Sequence, residues 1–437
     1  MAKRMRFILS TIMVIVAMAA KAQVTTSSLS GKVTDPDKEA IIGATVQAIH
    51  EPSGTRYGAI TNIDGRYTIQ GMRAGGPYSV EVSYIGYQTM MYKDVTLQLG
   101  EVYNLNVQMK ESSELLEEVV VTAQKTKFAS EKTGATTNIS NTQIASMPSV
   151  SRSITDYSRL SAYGGNGMSF AGSDGRTANF TIDGANFNNN FGLSSNLPGG
   201  GNPVSIEAID EIQIVISPFD VRQTNFIGGG INAITKSGTN TYKGTAYIYH
   251  QNENMRGDAI DRETILGARE KDQSTTYGFT IGGPIIKNKL FFFANGELQN
   301  TPAIANRWRA SEDGVANADA YISRATVADL QNVSDIAKER YGYDTGSFSS
   351  FPSDNKNTKL LARIDWNINN NHRLALRYNY TKNTVWNAPN ASSMDGGTRM
   401  SGSRTSQYAM SYANSMYSLD NLVHSLSFDL NLSLIHI

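Results

Sequence analysis

Apolar and polar side chains alternate along several stretches of residues 240–437, which is the two-residue period of a β-strand. The clearest stretch sets apolar residues against polar ones: Leu360, Ala362, Ile364, Trp366 and Ile368 against Lys359, Arg363, Asp365 and Asn367. The turn at 369–371 leads into a second stretch of the same kind. Strands with one apolar and one polar face can build a membrane barrel, or a soluble sheet with one solvated side.

Residues 29–109 contain short strands separated by frequent turn signals. One alternating strand follows Asp64 and Gly65, and glycine tolerates the positive φ that a tight hairpin turn requires. About six or seven short strands within ~80 residues predict a β-sandwich.

Residues 125–236 are rich in glycine and asparagine. A short helix-like turn that begins at Ile206 leads into an apolar strand that ends at Ile216. The triple glycine at 228–230 is followed by neither the lysine nor the long helix that a phosphate-binding loop requires. These features predict a domain of mixed α and β structure without a nucleotide site.

A short β-branched run, within residues 117–124, lies between these two domains. It comprises Val119, Val120, Val121 and Thr122, with Glu118 before it and Ala123 after it. Acidic residues precede the run and a polar stretch follows, so no strand adjacent in sequence is available for pairing. The run is therefore predicted to pair with the sheet edge of a partner protein, or to be an ordinary strand of the following domain.

The first 22 residues have the pattern of a secretory signal peptide. Lys3, Arg4 and Arg6 precede a nearly apolar stretch, and small residues at 20 and 22 predict cleavage between Ala22 and Gln23. A single anchoring helix is the alternative, but the apolar stretch is short for a membrane span.

Composition excludes several classes of function. Lys and Arg total 39, as do Asp and Glu, so the chain lacks the basic character of a nucleic-acid binder. The chain has no cysteine, which excludes disulfides, zinc–thiolate sites and thiol nucleophiles. Hydrophobic residues make up 40% of the chain, and this value is compatible with a barrel because the alternating strands average to a polar composition.

The N-terminal strands resemble the carboxypeptidase regulatory-like domain. The resemblance rests on four motifs: GKVTD at 31–35, GATV at 43–46, TNIDGRY at 61–67 and YIGY at 84–87. It implies a transthyretin-like sandwich over 29–109, a fold grouped with the carbohydrate-binding-like domains. The module is an accessory in many exported proteins, so the resemblance implies little about function.

The order of the segments resembles that of the TonB-dependent outer-membrane receptors. Glu118–Ala123 (EVVVTA) is similar to their TonB box, and VSIEAIDEI at 204–212 with GGGINAITK at 228–236 is similar to their plug. FTIDGA at 180–185 and SPFDVR at 217–222 are similar to the Oar-like branch common in Bacteroidetes. The resemblance therefore implies an all-β dominated chain: signal peptide 1–22, sandwich 29–109, TonB box 117–124, α+β plug 125–236 and the first transmembrane barrel strands over 240–437.

This resemblance implies energised uptake of an external ligand across the outer membrane of a Gram-negative cell. The implied partners are the TonB C-terminal domain, outer-membrane lipid and an unidentified ligand, and a surface lipoprotein partner is left open. No catalytic residue, metal ligand or cofactor is predicted, and no residue identifies the ligand. The polar connection 300–357, with apolar residues at helical spacing from Val327, is predicted to be an extracellular loop with a short helix.

A closed transporter barrel of this class has about 22 strands, whereas residues 240–437 are long enough for about six or seven. We therefore expect the barrel to be incomplete and the sequence to be an N-terminal part of a longer protein. The last five residues, 433–437, do not resemble a receptor strand and are not interpreted.

Two other functions are open at this stage. A zinc carboxypeptidase would use His250, Glu253 and His372, which have a suitable spacing, but the accessory sandwich follows the catalytic domain in those enzymes. A surface-assembly or adhesion protein could use the same barrel without transport. The TonB box would distinguish the receptor from this second alternative, because energised transport requires it.

Overall fold

The structure is a computed structural model. It describes residues 24–432 except for 112–118, 123–134, 148, 150–151, 166, 189–196, 198–201, 217–222, 224–226, 256, 258, 261–262, 265–272, 303–307, 350, 352 and 388–405. The predicted signal peptide with its cleavage site at Ala22 and Gln23, both ends of the predicted TonB box (Glu118 and Ala123) and the last five residues lie outside the described residues.

The first unit, which we call the N-terminal sandwich, contains two β-sheets. Its strands are β1 (Ser27–Thr34), β2 (Thr45–His50), β3 (Thr55–Ile60), β4 (Arg66–Met72), β5 (Gly75–Ser83), β6 (Met90–Leu97), β7 (Val102–Asn104) and β8 (Val107–Gln108). One sheet has the order β4-β1-β7 with β8 also on β1, and the other begins β3-β2-β5-β6. The predicted sandwich is therefore confirmed.

Alternating apolar residues of both sheets form the core of the sandwich. Tyr78 is fully buried, and its hydroxyl donates to the carbonyl oxygen of Arg73 at 2.6 Å. The turn before β4 is closed by a hydrogen bond from the Gly65 amide to the Asn62 carbonyl, and Gly65 has a φ of +70°. The Asp-Gly signal thus marks a turn, but the turn does not close a hairpin, because β3 and β4 lie in different sheets.

A fifth strand, β9 (Val119–Thr122), extends the second sheet of the sandwich. It runs parallel to β6 at the end of the order β3-β2-β5-β6-β9. This is the β-branched run that the sequence places between two domains. Its pairing partner is the preceding sandwich, which neither sequence interpretation anticipated.

The second unit, which we call the central domain, contains a five-stranded sheet of order β10-β13-β14-β11-β12. Its elements are β10 (Ala135–Ser140), α1 (Asn141–Ser146), β11 (Asn179–Ile182), β12 (Ala185–Asn186), β13 (Ile209–Ile216) and β14 (Gly229–Thr235), with 3-10 turns at Ile154–Leu160, Gly175–Thr177 and Ile206–Ala208. The turn at Ile206 leads into β13 as predicted. A Cβ at Gly229 would lie 2.8 Å from the Phe170 ring, so close packing explains a glycine there.

The remaining chain forms an antiparallel six-stranded sheet. Its strands are β15 (Lys243–Gln251), β18 (Ser274–Ile286), β19 (Leu290–Pro302), β22 (Asp354–Asn367), β23 (His372–Asn387) and β24 (Tyr417–Leu432). The short strands β16 (Ala259–Ile260), β17 (Glu263–Thr264), β20 (Arg309–Ser311) and β21 (Ile322–Thr326) lie in the connections, with 3-10 turns at Glu253–Met255 and Ala413–Ser415. The chain is dominated by β-structure, as predicted.

The connection between β19 and β22 contains helix α2 (Val327–Tyr341), which agrees with the helical spacing read from the sequence. Thr326 caps its N terminus by accepting a hydrogen bond from the Asp329 amide, and Gly342 ends it in the left-handed conformation. Among the described residues, neither helix is long and apolar enough to cross a membrane.

Candidate functional site

One face of the six-stranded sheet contacts the central domain, and we call it the inner face. Phe293 and Leu361 lie on this face and belong to the same apolar cluster as Phe180 and Ile212 of the central domain. Since successive residues of a strand point to opposite faces, the apolar residues that alternate with these inner-face positions point away from the central domain. Burial follows this rule, because Lys359, on the inner face, is 3% exposed and Leu360 is 48% exposed.

A buried group of charges lies where the inner face meets the central domain. Asp183 follows β11 and is 2% exposed. Its carboxylate accepts hydrogen bonds from the Thr235 amide at 3.0 Å and the Thr235 hydroxyl at 2.6 Å. The same carboxylate lies 3.7 Å from Nη1 of Arg363 and 3.6 Å from Nε of Arg377, which come from the neighbouring strands β22 and β23.

Further ion pairs extend this group within the six-stranded sheet and into the N-terminal sandwich. Arg363 makes a two-point contact with Asp365 at 2.8 and 2.9 Å, and Arg377 pairs with Asp429 of β24 at 2.5 Å. Arg73 of the N-terminal sandwich lies 3.4 Å from Asp365. We call this set the ionic chain: Arg73, Asp365, Arg363, Asp183, Arg377 and Asp429. It joins the sandwich, the six-stranded sheet and the central domain, and its three positive and three negative charges balance.

A second polar contact, which we call the Glu297 anchor, lies along the same interface. Glu297 of β19 accepts hydrogen bonds from Ser205 of the central domain at 2.7 Å and from Tyr247 at 2.8 Å, and it pairs with Lys359 at 2.7 Å. Nearby, Arg152 pairs with Glu207 within the central domain at 2.9 Å and lies 3.7 Å from the centre of the Tyr249 ring. This second site therefore adds a cation–π contact between the central domain and β15.

The N-terminal sandwich contacts the central domain around Leu99. The Leu99 amide donates to Glu211 at 3.0 Å, and the Asn138 amide donates to the carbonyl of Leu99 at 3.1 Å and to Glu211 at 3.0 Å. Burial raises the pKa of Glu211 to about 7, although both hydrogen bonds favour the ionised form. Leu99 also packs with Val24, Ala74 and Ile234 in a small apolar cluster that spans the two units.

The predicted TonB box is only partly within the described residues. Val119–Thr122 forms β9, and the paired Cα positions run from Met90 with Val119 to Lys93 with Thr122. The prediction of an extended segment agrees with this strand. The segment pairs with β6, a strand of the same chain that is not adjacent in sequence, whereas the sequence pattern predicted a partner protein or the following domain.

The proposed zinc constellation is not assembled. His250 is on β15 and His372 begins β23, and three strands of the sheet lie between β15 and β23. At about 4.8 Å for each strand spacing, this separation is close to 20 Å. His250 instead contacts the Thr275 hydroxyl at 2.8 Å. Within the described ranges, no group of three His, Cys, Asp or Glu residues could hold a metal ion.

The sequence interpretation assigned no role to the members of the ionic chain. It placed Arg363 and Asp365 on the polar face of a strand, and Asp183 appeared only within the FTIDGA motif. Charged residues on the polar face of a strand could have identified them. If another domain covers that face, the buried charges need partners.

Two protein families match parts of the chain. Residues 28–110 match the carboxypeptidase regulatory-like domain, and residues 234–308 match an outer membrane beta barrel domain. Among curated proteins, the TonB-dependent transporter Oar of Myxococcus xanthus is 27% identical over 227 residues, which cover 49% of this chain and 19% of that protein. The chain thus matches about a fifth of the length of this relative.

Solved structures of outer-membrane proteins are also similar to this chain. The outer membrane transporter YddB of Escherichia coli is 13% identical with a TM-score of 0.45, and the match covers 69% of this chain and 37% of that one. The siderophore receptor PirA of Acinetobacter baumannii is 19% identical with a TM-score of 0.37, and the match covers 61% of this chain and 35% of that one. Together, the family matches and the similarity to Oar relate the chain to the TonB-dependent transporters of the outer membrane.

Proposed function

We propose that the chain is part of a TonB-dependent outer-membrane receptor that takes up an external ligand, of the Oar-like branch found in Bacteroidetes. In this proposal the signal peptide at 1–22 directs export, the six-stranded sheet is the beginning of the barrel, and the central domain is the plug. The segment Glu118–Ala123 is the TonB box. The ligand and any surface lipoprotein partner are not identified.

The observation that carries the proposal is the two-sided character of the six-stranded sheet. Its inner face buries charged residues against the central domain, while its other face exposes large apolar side chains. These include Tyr277, Phe279, Leu298, Leu360, Ile364, Trp366, Leu376, Tyr378, Leu426, Phe428 and Leu430. Extended apolar surfaces are rare on soluble monomers, and an outward apolar band is typical of membrane barrels.

The interface chemistry suits a plug that must move. The ionic chain and the Glu297 anchor join the central domain to the six-stranded sheet through polar groups, which water and other polar groups can replace when the domain shifts. No residue has to form a covalent bond in this function. The central domain would block the barrel until TonB, acting on the TonB box, rearranges it.

The test measures binding of a purified TonB C-terminal domain to the detergent-solubilised protein, comparing Val120→Pro with Val120→Ala. Proline removes a backbone N–H donor and fixes φ, so we expect Val120→Pro to weaken binding by about tenfold or more. Alanine keeps the donor, so we expect Val120→Ala to bind within about twofold of the wild type.

Unchanged binding in Val120→Pro would show that this segment is not the TonB box. If the wild-type protein and a peptide of residues 113–125 both fail to bind, the receptor proposal fails and a surface-assembly role on the same scaffold gains support. A peptide that binds while the whole protein does not would leave the TonB box in place.

A further inference from the structure

The second sheet of the N-terminal sandwich ends with a strand that belongs to neither the sandwich motifs nor the central domain. β9 pairs in parallel with β6 over four residues, from Met90 with Val119 to Lys93 with Thr122. β6 pairs on its other side with β5. Without β9, β6 would be the end strand of this sheet, and its outward N–H and C=O groups would have no sheet partner.

The edge of β6 limits the length of the strand that it can hold. Asp94, directly after the last paired position, has a φ of +61°, which lies outside the range of extended strands. The paired positions between β5 and β6 are also irregular, between Gly75 and Tyr78 and between Tyr78 and Val80. The regular part of this edge therefore offers a site about four residues long, and β9 fills it.

Docking of β9 on β6 also changes which contacts would bear a force that TonB exerts on the segment 119–122. The N-terminal sandwich is held to the central domain through Leu99 and Glu211, and to the six-stranded sheet through Arg73 and Asp365. Further contacts to the sheet are the Asn367 amide on the Thr55 hydroxyl at 3.0 Å and Arg373 on the Arg56 carbonyl at 2.6 Å. A force on docked β9 would therefore also load these contacts of the sandwich with the other two units.

We propose that the β6 edge of the N-terminal sandwich is an internal binding site that masks the segment 119–122, and that TonB must displace the segment from β6 to capture it. This inference rests on the proposed function, because it assumes that the segment is the TonB box. The sandwich then sets the apparent affinity for TonB. If TonB binds only the released segment, its apparent affinity is the intrinsic affinity multiplied by the fraction of molecules in which the segment is released.

A reversible disulfide tests the masking directly. The chain has no cysteine, so only a designed pair can form a bond. Lys93 is exposed and its Cα position pairs with that of Thr122. Neighbouring strands lie about 4.8 Å apart, which a disulfide can span. The test variant is therefore Lys93→Cys with Thr122→Cys.

The matched control is Arg56→Cys with Thr122→Cys. Arg56 is an exposed residue of β3, at the opposite edge of the same sheet. Four strand spacings, close to 20 Å, separate β3 from β9, so we expect this pair not to form an internal disulfide. We expect the Lys93–Thr122 pair to form one readily on mild oxidation of the folded protein.

Binding of a TonB C-terminal domain is then measured on the oxidised and the reduced form of the same protein. We expect the oxidised form to bind at least about tenfold more weakly and reduction to restore binding, which corresponds to about 1.4 kcal/mol. Equal binding by both forms would overturn the proposal, because TonB would then be adding to the open edge of docked β9. If the Lys93–Thr122 pair forms no more internal disulfide than the control pair does, the docking of β9 on β6 itself would be overturned.

A second measurement needs no substitution. Amide hydrogen exchange of those residues within Met90–Lys93 whose N–H groups point towards β9 should increase when the TonB domain binds, because β6 loses its outer partner. Unchanged protection of β6 in the complex would contradict displacement. A peptide of residues 113–125 separates this inference from the proposed function: if the peptide does not bind TonB, the assignment of the TonB box fails and so does the competition.

Discussion

Glu211 is the buried carboxyl group at the contact between the N-terminal sandwich and the central domain. Burial raises its pKa from 4.5 to about 7, so between these pH values the folded state holds a proton that the unfolded state has lost. The free energy of unfolding should therefore fall as the pH rises through this window. We expect Glu211→Gln to remove this part of the pH dependence, because the neutral amide can still accept from Leu99.

The measurement is the midpoint of thermal unfolding in detergent at pH 5 and pH 8. The difference between the two midpoints should be smaller in Glu211→Gln than in the wild type. Glu339→Gln, at an exposed position of α2, is the matched control and should behave as the wild type. An unchanged pH dependence in Glu211→Gln would contradict the raised pKa.

Asp183 is the residue of the central domain on which two arginines of the six-stranded sheet converge. Asp183→Asn keeps the shape but removes the charge that Arg363 and Arg377 share. Removing one partner of a buried charge group leaves the others uncompensated, so we expect a loss of about 3 kcal/mol in the free energy of unfolding.

Denaturant unfolding of the detergent-solubilised protein measures this loss. Asp174→Asn is the matched control, because Asp174 pairs with Arg176 on the surface and asparagine can still cap the turn at Gly175. We expect no clear change in the control. Equal stability of Asp183→Asn and the wild type would show that the ionic chain does not hold the central domain in place.

The sequence predicts which side chains of a strand share a face, but not which charges meet. The alternation around Arg363 places it on the polar side of β22, and the structure agrees. Its pairing with Asp183 depends on how the central domain sits against the sheet, and the two residues are far apart in sequence. Local pattern carries no information on such a distant contact, so the ionic chain could not be predicted.

Glycines in the six-stranded sheet lie beneath aromatic rings of neighbouring strands. A Cβ at Gly278 of β18 would clash with the ring of Tyr247 on β15, its partner in the antiparallel pair. Gly278→Ala should therefore displace the Tyr247 ring and cost about 1–3 kcal/mol of unfolding free energy. In the Tyr247→Ala background the same change should be nearly neutral, because the ring is absent.

A double-mutant cycle measured by denaturant unfolding isolates this contact, since the loss of the hydrogen bond from Tyr247 to Glu297 is common to both Tyr247→Ala proteins. Additive effects of the two substitutions would contradict it.

The sequence shows that Gly278 alternates with apolar residues, but its structural role follows from the pairing of β15 with β18. Likewise, the sequence predicted β9 as a strand, whereas its partner β6 is set by the three-dimensional arrangement.

At the scale of the whole molecule, ion pairs and apolar clusters join the three units on the inside, and an apolar face covers the outside of the six-stranded sheet. The apolar face favours a membrane barrel over a soluble sheet with one solvated side, the alternative that the alternation alone left open. In water, an exposed leucine at mid-strand could be replaced by arginine at little cost. In lipid, the same replacement places a charge in hydrocarbon.

Leu360, near the middle of β22 and 48% exposed, provides the test. Leu360→Arg should destabilise the lipid-inserted protein by about 2–4 kcal/mol if this position faces the middle of the bilayer. We therefore expect less protein to stay with lipid vesicles after an alkaline wash. Val333→Arg, at a comparably exposed apolar position of α2, should be retained as the wild type is, because the helix lies in a connection and not in the sheet. If both variants were retained equally, the apolar face would be facing water or another protein, and the sheet would not be the wall of a membrane barrel.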